Sequence, residues 1–174
     1  MSEIRENKSE VRGRRQGRTA LMLVLLASLT LAQRFGAAQT DDVKRRLLGE
    51  WTLVQYDVFA ENGETRPGNF DAGRIAYGER EMSAHLMRSG RPKEAPSTDT
   101  ARASAYQAYL GYYGPYTIDT ARRTVTHHVA GSSFPHWIGT EQVRHYAFTA
   151  SGQLTLSLKS GERVTQTLTW ERVK

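Results

Sequence analysis

The sequence predicts an all-β protein: an antiparallel up-and-down barrel of about eight strands with one inserted α-helix. Short runs of alternating polar and apolar residues recur from residue 51 to residue 173, and Gly, Pro and Ser punctuate them at tight spacing. A single Ala- and Tyr-rich segment carries a helical period instead. Strands adjacent in sequence favour closure, because a closed sheet has no exposed edge and eight strands leave an interior sized for side chains or one small ligand.

Trp51 to Ala60 reads as the first strand, and ENGETRPGNFDAG after it as a loop. Arg74–Gly78 and Glu81–Arg88 form a hairpin with Glu79 and Arg80 near its turn, and Ser89–Thr98 is a second loop. The helix is expected over Asp99–Tyr113. There Ala101, Ala105, Ala108 and Tyr112 share one face, and Tyr106, Leu110 and Tyr113 form the neighbouring stripe. Thr98 or Asp99 caps its start, and Gly111, Gly114 and Pro115 end it. Five more strands follow at Tyr116–Asp119, Thr124–Ala130, Glu141–Thr149, Gln153–Leu158 and Arg163–Val173, with Ser151-Gly152 and Ser160-Gly161 as turns. The loop before Glu141 contains Phe134, Pro135, His136 and Trp137. Aromatic rings cost free energy in water, so this loop is expected to fold over the barrel end, or over a ligand in its mouth.

The N-terminus has a different composition. Arg5, Lys8, Arg12, Arg14, Arg15 and Arg18 precede an uncharged, mostly apolar run from Thr19 to Ala32, the pattern of a secretory signal. The run is shorter than the roughly 20 residues a membrane span needs. Gly36-Ala37-Ala38 places cleavage after Ala38, with Ala32 as second choice and an uncleaved anchor as the alternative. Residues 1–38 then form the signal, 39–46 a short linker and 47–174 the barrel domain, exported to the periplasm or the exterior. Of the 24 basic and 18 acidic residues of the chain, seven and three lie within 1–38, leaving 17 against 15. The domain is thus nearly neutral, and a nucleic-acid partner loses its electrostatic support. With no cysteine, disulfides, thiolate metal sites and a cysteine nucleophile are excluded.

Gly49-Glu50-Trp51 resembles the Gly-x-Trp signature of the lipocalin superfamily, and Arg172 after Trp170-Glu171 resembles its basic partner, a guanidinium able to stack on the indole. The set Leu48-Gly49-x-Trp51-x-Leu53-Val54, Tyr77, Met82-Ser83-Ala84-x-Leu86-Met87, Gly90-Arg91-Pro92, Tyr112-x-Gly114-x-Tyr116, Thr124-Val125-x-His127-His128-Val129, Phe134-Pro135-x-Trp137-x-Gly139-Thr140 and Arg144 is similar, in order and spacing, to the bacterial and fungal lipocalin-like domain family over about residues 47–172. The resemblance implies a small barrel with a helix. Gly49, Trp51 and Arg172 are its structural signature.

Strand parity sorts the chemically capable residues. His127 and His128 are adjacent on a strand, face opposite sides and cannot chelate one metal together. Which of them points inward is left open, because Val125, His127 and Val129 form the apolar face while Thr124, Thr126 and His128 could line a polar pocket. His85 shares a face with Ser83 and Met87. Arg144 shares one with Gln142, Tyr146 and Phe148, where a guanidinium among aromatics would bind a carboxylate or an enolate-like oxygen. Tyr77, His85, Tyr109, His128, Trp137 and Arg144 are the candidate ligand contacts, and His85, His127, His128 and Arg144 the candidate catalytic groups.

Phosphate-loop, zinc-hydrolase and esterase-elbow motifs are all missing from the sequence. Nothing around the Gly-x-Trp selects for haem iron, and no metal or cofactor is expected. The expected function is an exported barrel that binds a small apolar or aromatic molecule. The alternative is a cofactor-free isomerase, cyclase or hydratase in which a pocket histidine moves protons.

Overall fold

Alternation becomes architecture because every second side chain of a strand must leave water. In a computed structural model, which describes residues 36–174, ten strands form: β1 (Gly49–Phe59), β2 (Thr65–Pro67), β3 (Ala72–Tyr77), β4 (Glu81–Met87), β5 (Tyr109–Asp119), β6 (Thr124–His128), β7 (Gly131–Ser132), β8 (Glu141–Phe148), β9 (Leu154–Ser160) and β10 (Arg163–Arg172). Eight of them pair antiparallel in the order β1-β3-β4-β5-β6-β8-β9-β10, and β10 pairs back onto β1. The sheet is therefore a closed eight-stranded up-and-down barrel, with β2 on the edge of β1 and β7 beside β5. Its core holds Trp51, Leu53, Ile75, Tyr77, Met82, Ala84, Tyr112, Val125, Leu154 and Trp170, residues two apart on their strands.

The chain divides into residues 1–41 and 42–174, and the second unit contains the barrel. The expected signal lies, apart from its last three residues, outside the described residues. Residues 36–47, which include the expected linker 39–46, are helical (α1). Within the second unit the reason is local: Val43 and Leu47, four residues apart, pack on the barrel core, and Arg45 pairs with Asp42 at 3.2 Å. Among the described residues no helix is long and apolar enough to cross a membrane.

The end of α1 is tied to both closing strands. The Trp51 indole N–H donates to the Leu47 carbonyl at 2.9 Å, and the Arg172 guanidinium lies 4.2 Å from the Trp51 ring. Arg172 also donates to the carbonyls of Leu48 at 2.5 Å and Arg46 at 2.6 Å. These bonds satisfy carbonyls that a helix C-terminus leaves without partners, and a cation there complements the helix dipole. Gly49 is required at this junction. Its φ is +114°, and a Cβ would stand 2.7 Å from Arg172 Nη1.

The inserted helix is shorter than its period predicts. Helix α2 spans Asp99–Gln107, capped by Thr98, whose Oγ1 accepts from the Ala101 N–H at 3.1 Å. From Tyr109 the chain is strand, so Tyr109–Tyr113 leaves the expected helix and pairs with β4 in full register. Leu110 and Tyr112 point inward, and the flanking glycines favour the sheet. A Cβ on Gly114 would come within 1.9 Å of the His128 carbonyl oxygen, so only glycine lets β5 and the following chain approach.

Candidate functional site

The barrel interior encloses a cavity of about 480 Å³, within the range of small-molecule sites. Ile75, Ala84, Leu86, Leu110, Leu156 and Leu168 give its wall an aliphatic part, each on the inward parity of its strand. Phe134 and Trp137 sit over the mouth on a 3₁₀ turn, Pro135–Trp137. Trp137 meets Tyr112 edge-on at 5.5 Å, and Phe134 meets Tyr106 of α2 at 5.1 Å. The aromatic loop thus caps the barrel and also lines the cavity. A second concavity of about 720 Å³ lies between residues 88–97 and α2, but no aromatic side chain lines it.

Polar groups converge on one part of the cavity. Arg144 projects inward from β8 and donates to Gln142 Oε1 at 3.3 Å and to the Val143 carbonyl at 3.0 Å. Gln142 in turn donates to Thr140 Oγ1 at 3.1 Å, and that hydroxyl donates to the Trp137 carbonyl at 2.7 Å, which ties Arg144 to the aromatic turn. Elsewhere in the lining, the Tyr56 hydroxyl donates to Gln166 Oε1 at 2.6 Å.

Behind Tyr112 lies a buried relay. His127, 1% exposed, has its Nε2 2.8 Å from the Tyr77 hydroxyl and its Nδ1 3.0 Å from the Tyr112 hydroxyl. Burial, reinforced by the charge of Arg144 and then by His128, lowers the His127 pKa to about 3. Burial raises the pKa of Tyr77 far above the usual phenol value and raises that of Tyr112 against the opposing pull of Arg144. All three side chains are therefore neutral near pH 7.

The candidate residues fall into two groups. Tyr77, Trp137 and Arg144 face the interior, with Tyr77 behind His127 rather than on the cavity wall. His85, Tyr109 and His128 do not, and the pocket placement expected for them is corrected. His85 Nδ1 meets the Tyr109 hydroxyl at 2.6 Å on the outer face, because the apolar Met82, Ala84 and Leu86 claim the inward parity of β4. His128 is turned outward beside Thr117 at 3.0 Å and Glu141 at 3.3 Å, since Val125, His127 and Val129 fill the inner face. Of the four catalytic candidates, only Arg144 reaches the cavity wall. Among the described residues no cluster of His, Asp and Glu could hold a metal ion.

Among the lining residues that escape the sequence reading are Tyr56, Tyr112, Gln166 and Trp170. Tyr112 is hidden by the over-long helix. Tyr56 is hidden by a bulge between Leu53 and Gln55, which reverses the parity of the second half of β1, and a similar irregularity precedes Gln166 in β10. Gln142 was legible as the inward neighbour of Arg144.

The buried imidazole makes stability depend on pH. An unfolded histidine takes a proton below about pH 6.5, whereas His127 in the folded protein does so only near 3. The unfolded state binds more protons across that window, so stability falls as pH is lowered through it. Model carboxylates have pKa values near 4 and stay mostly ionised at pH 5, so the difference between melting curves at pH 7 and pH 5 reports imidazoles, and a His127 variant isolates the share of His127. The melting temperature should be lower at pH 5 by roughly 5 °C or more, and His127→Gln should abolish most of that difference. An unchanged difference in the variant would contradict a neutral buried His127.

Residues 48–173 match the family model of the lipocalin-like domain. The chain is similar to a 4'-hydroxy-3'-methoxypropiophenone carrier protein of Aspergillus oryzae, 39% identical over 74 residues that span 36% of this chain and 67% of that one. Among solved structures it is similar to a lipocalin-like protein from Bacteroides uniformis, with TM-score 0.46 and 12% identity over 74% of this chain and 99% of that one. A redesigned beta barrel aligns with TM-score 0.39 and 13% identity, over 75% and 95% of the two chains. The family match spans nearly the whole barrel, and the chain belongs to the lipocalin-like domain family.

Proposed function

We propose that this protein is a carrier, holding one small apolar or aromatic molecule in the barrel interior and working outside the cytoplasm. The observation that carries the reading is the interior itself, a 480 Å³ cavity walled by aliphatic and aromatic side chains with a few polar groups gathered around Arg144. The relative from Aspergillus oryzae, by its name a carrier of an aryl ketone, supports the same class of cargo. Export rests on the basic segment and the apolar run Thr19–Ala32.

A histidine-driven enzyme finds less support. His127 has both nitrogens engaged and stands behind Tyr112, and its low pKa makes it a weak base. His85 and His128 face outward. Binding needs none of them. A two-ring aromatic molecule burying about 300 Å² of apolar surface gains about 7 kcal/mol at 25 cal/mol/Å², and the cost of association then puts its dissociation constant in the micromolar range or weaker.

Two measurements test the proposal. The neutral dye N-phenyl-1-naphthylamine should show saturable fluorescence enhancement with the protein. Ala84→Phe, which places a ring into the cavity from β4, should weaken that binding about tenfold or more while the fold is retained by circular dichroism. Dye enhancement that fails to saturate, or that survives the filling substitution unchanged, would reject the carrier reading. For export, the intact mass of protein recovered outside the cytoplasm should correspond to a chain beginning at Gln39, and recovery solely as the full chain in the cytoplasm would reject that part.

A further inference from the structure

The polar part of the cavity gathers hydrogen-bond donors around Arg144 and Tyr112. Among the described residues, the hydrogen bond of the Tyr77 hydroxyl is the one to His127 Nε2. Tyr77 is 2% exposed, and a buried O–H with no acceptor is costly, so Tyr77 donates and Nε2 accepts. The neutral imidazole then carries its proton on Nδ1 and donates it to the Tyr112 oxygen. With its oxygen accepting from His127, Tyr112 has no acceptor for its own proton among the described residues, and it lines the cavity together with Arg144.

Two further features share this polarity. Trp170 also lines the cavity, and its indole N–H is buried without a partner among the described residues. No Asp or Glu stands among the lining residues, whereas Arg144 and Arg88 both do. Among the described residues no carboxylate pairs with Arg144, whose bonds go to the neutral acceptors Val143 and Gln142.

We infer that the cargo is an aryl or short acyl carboxylate, its oxygens received by the Arg144 guanidinium and the Tyr112 hydroxyl while its apolar body fills the cavity. The inference rests on the carrier reading and deepens it. Tyr77 and His127 act as positioning residues: they touch no cargo and fix the direction in which the Tyr112 hydroxyl donates. A cationic cargo is disfavoured, since it would face arginines and donor hydrogens with no carboxylate to meet it.

Competition against bound N-phenyl-1-naphthylamine tests this, using 2-naphthoate and its neutral isostere 2-naphthamide. In the unmodified protein, naphthoate should displace the dye at a concentration at least tenfold lower than naphthamide. Arg144→Leu should bring the two competitors within about twofold while dye binding persists, and Tyr112→Phe should remove part of the preference. Arg144→Gln, which keeps a polar side chain beside Gln142, gives the same reading if the leucine variant does not fold. Equal displacement by the two competitors in the unmodified protein, or a preference that survives loss of Arg144, overturns the inference and leaves the carrier reading intact. Failure of the dye to bind at all overturns both.

Discussion

Everything else in the structure depends on the pairing of the first strand with the last. Without β1 against β10 the eight strands would be an open meander with two edges and no interior. The pairing is clamped at one end by Trp51 and Arg172, which stack on one another and bond to the end of α1. Further along, the bulge after Leu53 turns Tyr56 inward against Gln166. Closure and pocket lining are thus set by the same two strands.

Inside that closed wall, each polar group must find a partner in the protein or be left for a ligand. The Tyr77–His127–Tyr112 relay satisfies the imidazole on both nitrogens and holds it neutral at a depth where a charge would be costly. Arg144 is handled differently. Its partners are neutral, so its charge is oriented without being cancelled. This interior surrounds an apolar space with the neutral side chains of Tyr77, His127 and Tyr112 and the guanidinium of Arg144.

Much of the fold was legible because strands announce themselves by alternation and by Gly- or Pro-marked turns. The eight-strand count follows from the spacing of alternating runs and turns, and parity groups Arg144 with Gln142 on one face. The failures are equally physical. Tyr109–Tyr113 carries small and aromatic residues that satisfy a helical period as well as an alternating one, and only its pairing with β4 decides between them. Parity separated His127 from His128 but could not say which side was inner until Val125 and Val129 were seen to be buried. Trp170 was read as part of a signature at the barrel end, because no local pattern shows that its indole N–H lacks an acceptor.

The central claim, that the barrel interior is the binding site, is tested most directly by the indole N–H signals of the three tryptophans, which differ in place and bonding. Trp137 and Trp170 line the cavity, the latter with an N–H that has no partner among the described residues, while the Trp51 N–H is committed to the Leu47 carbonyl. In ¹H–¹⁵N correlation spectra, saturating 2-naphthoate should shift the Trp137 and Trp170 signals and leave that of Trp51 in place. Three unmoved signals at a concentration that displaces bound dye, or movement of Trp51 alone, would contradict it.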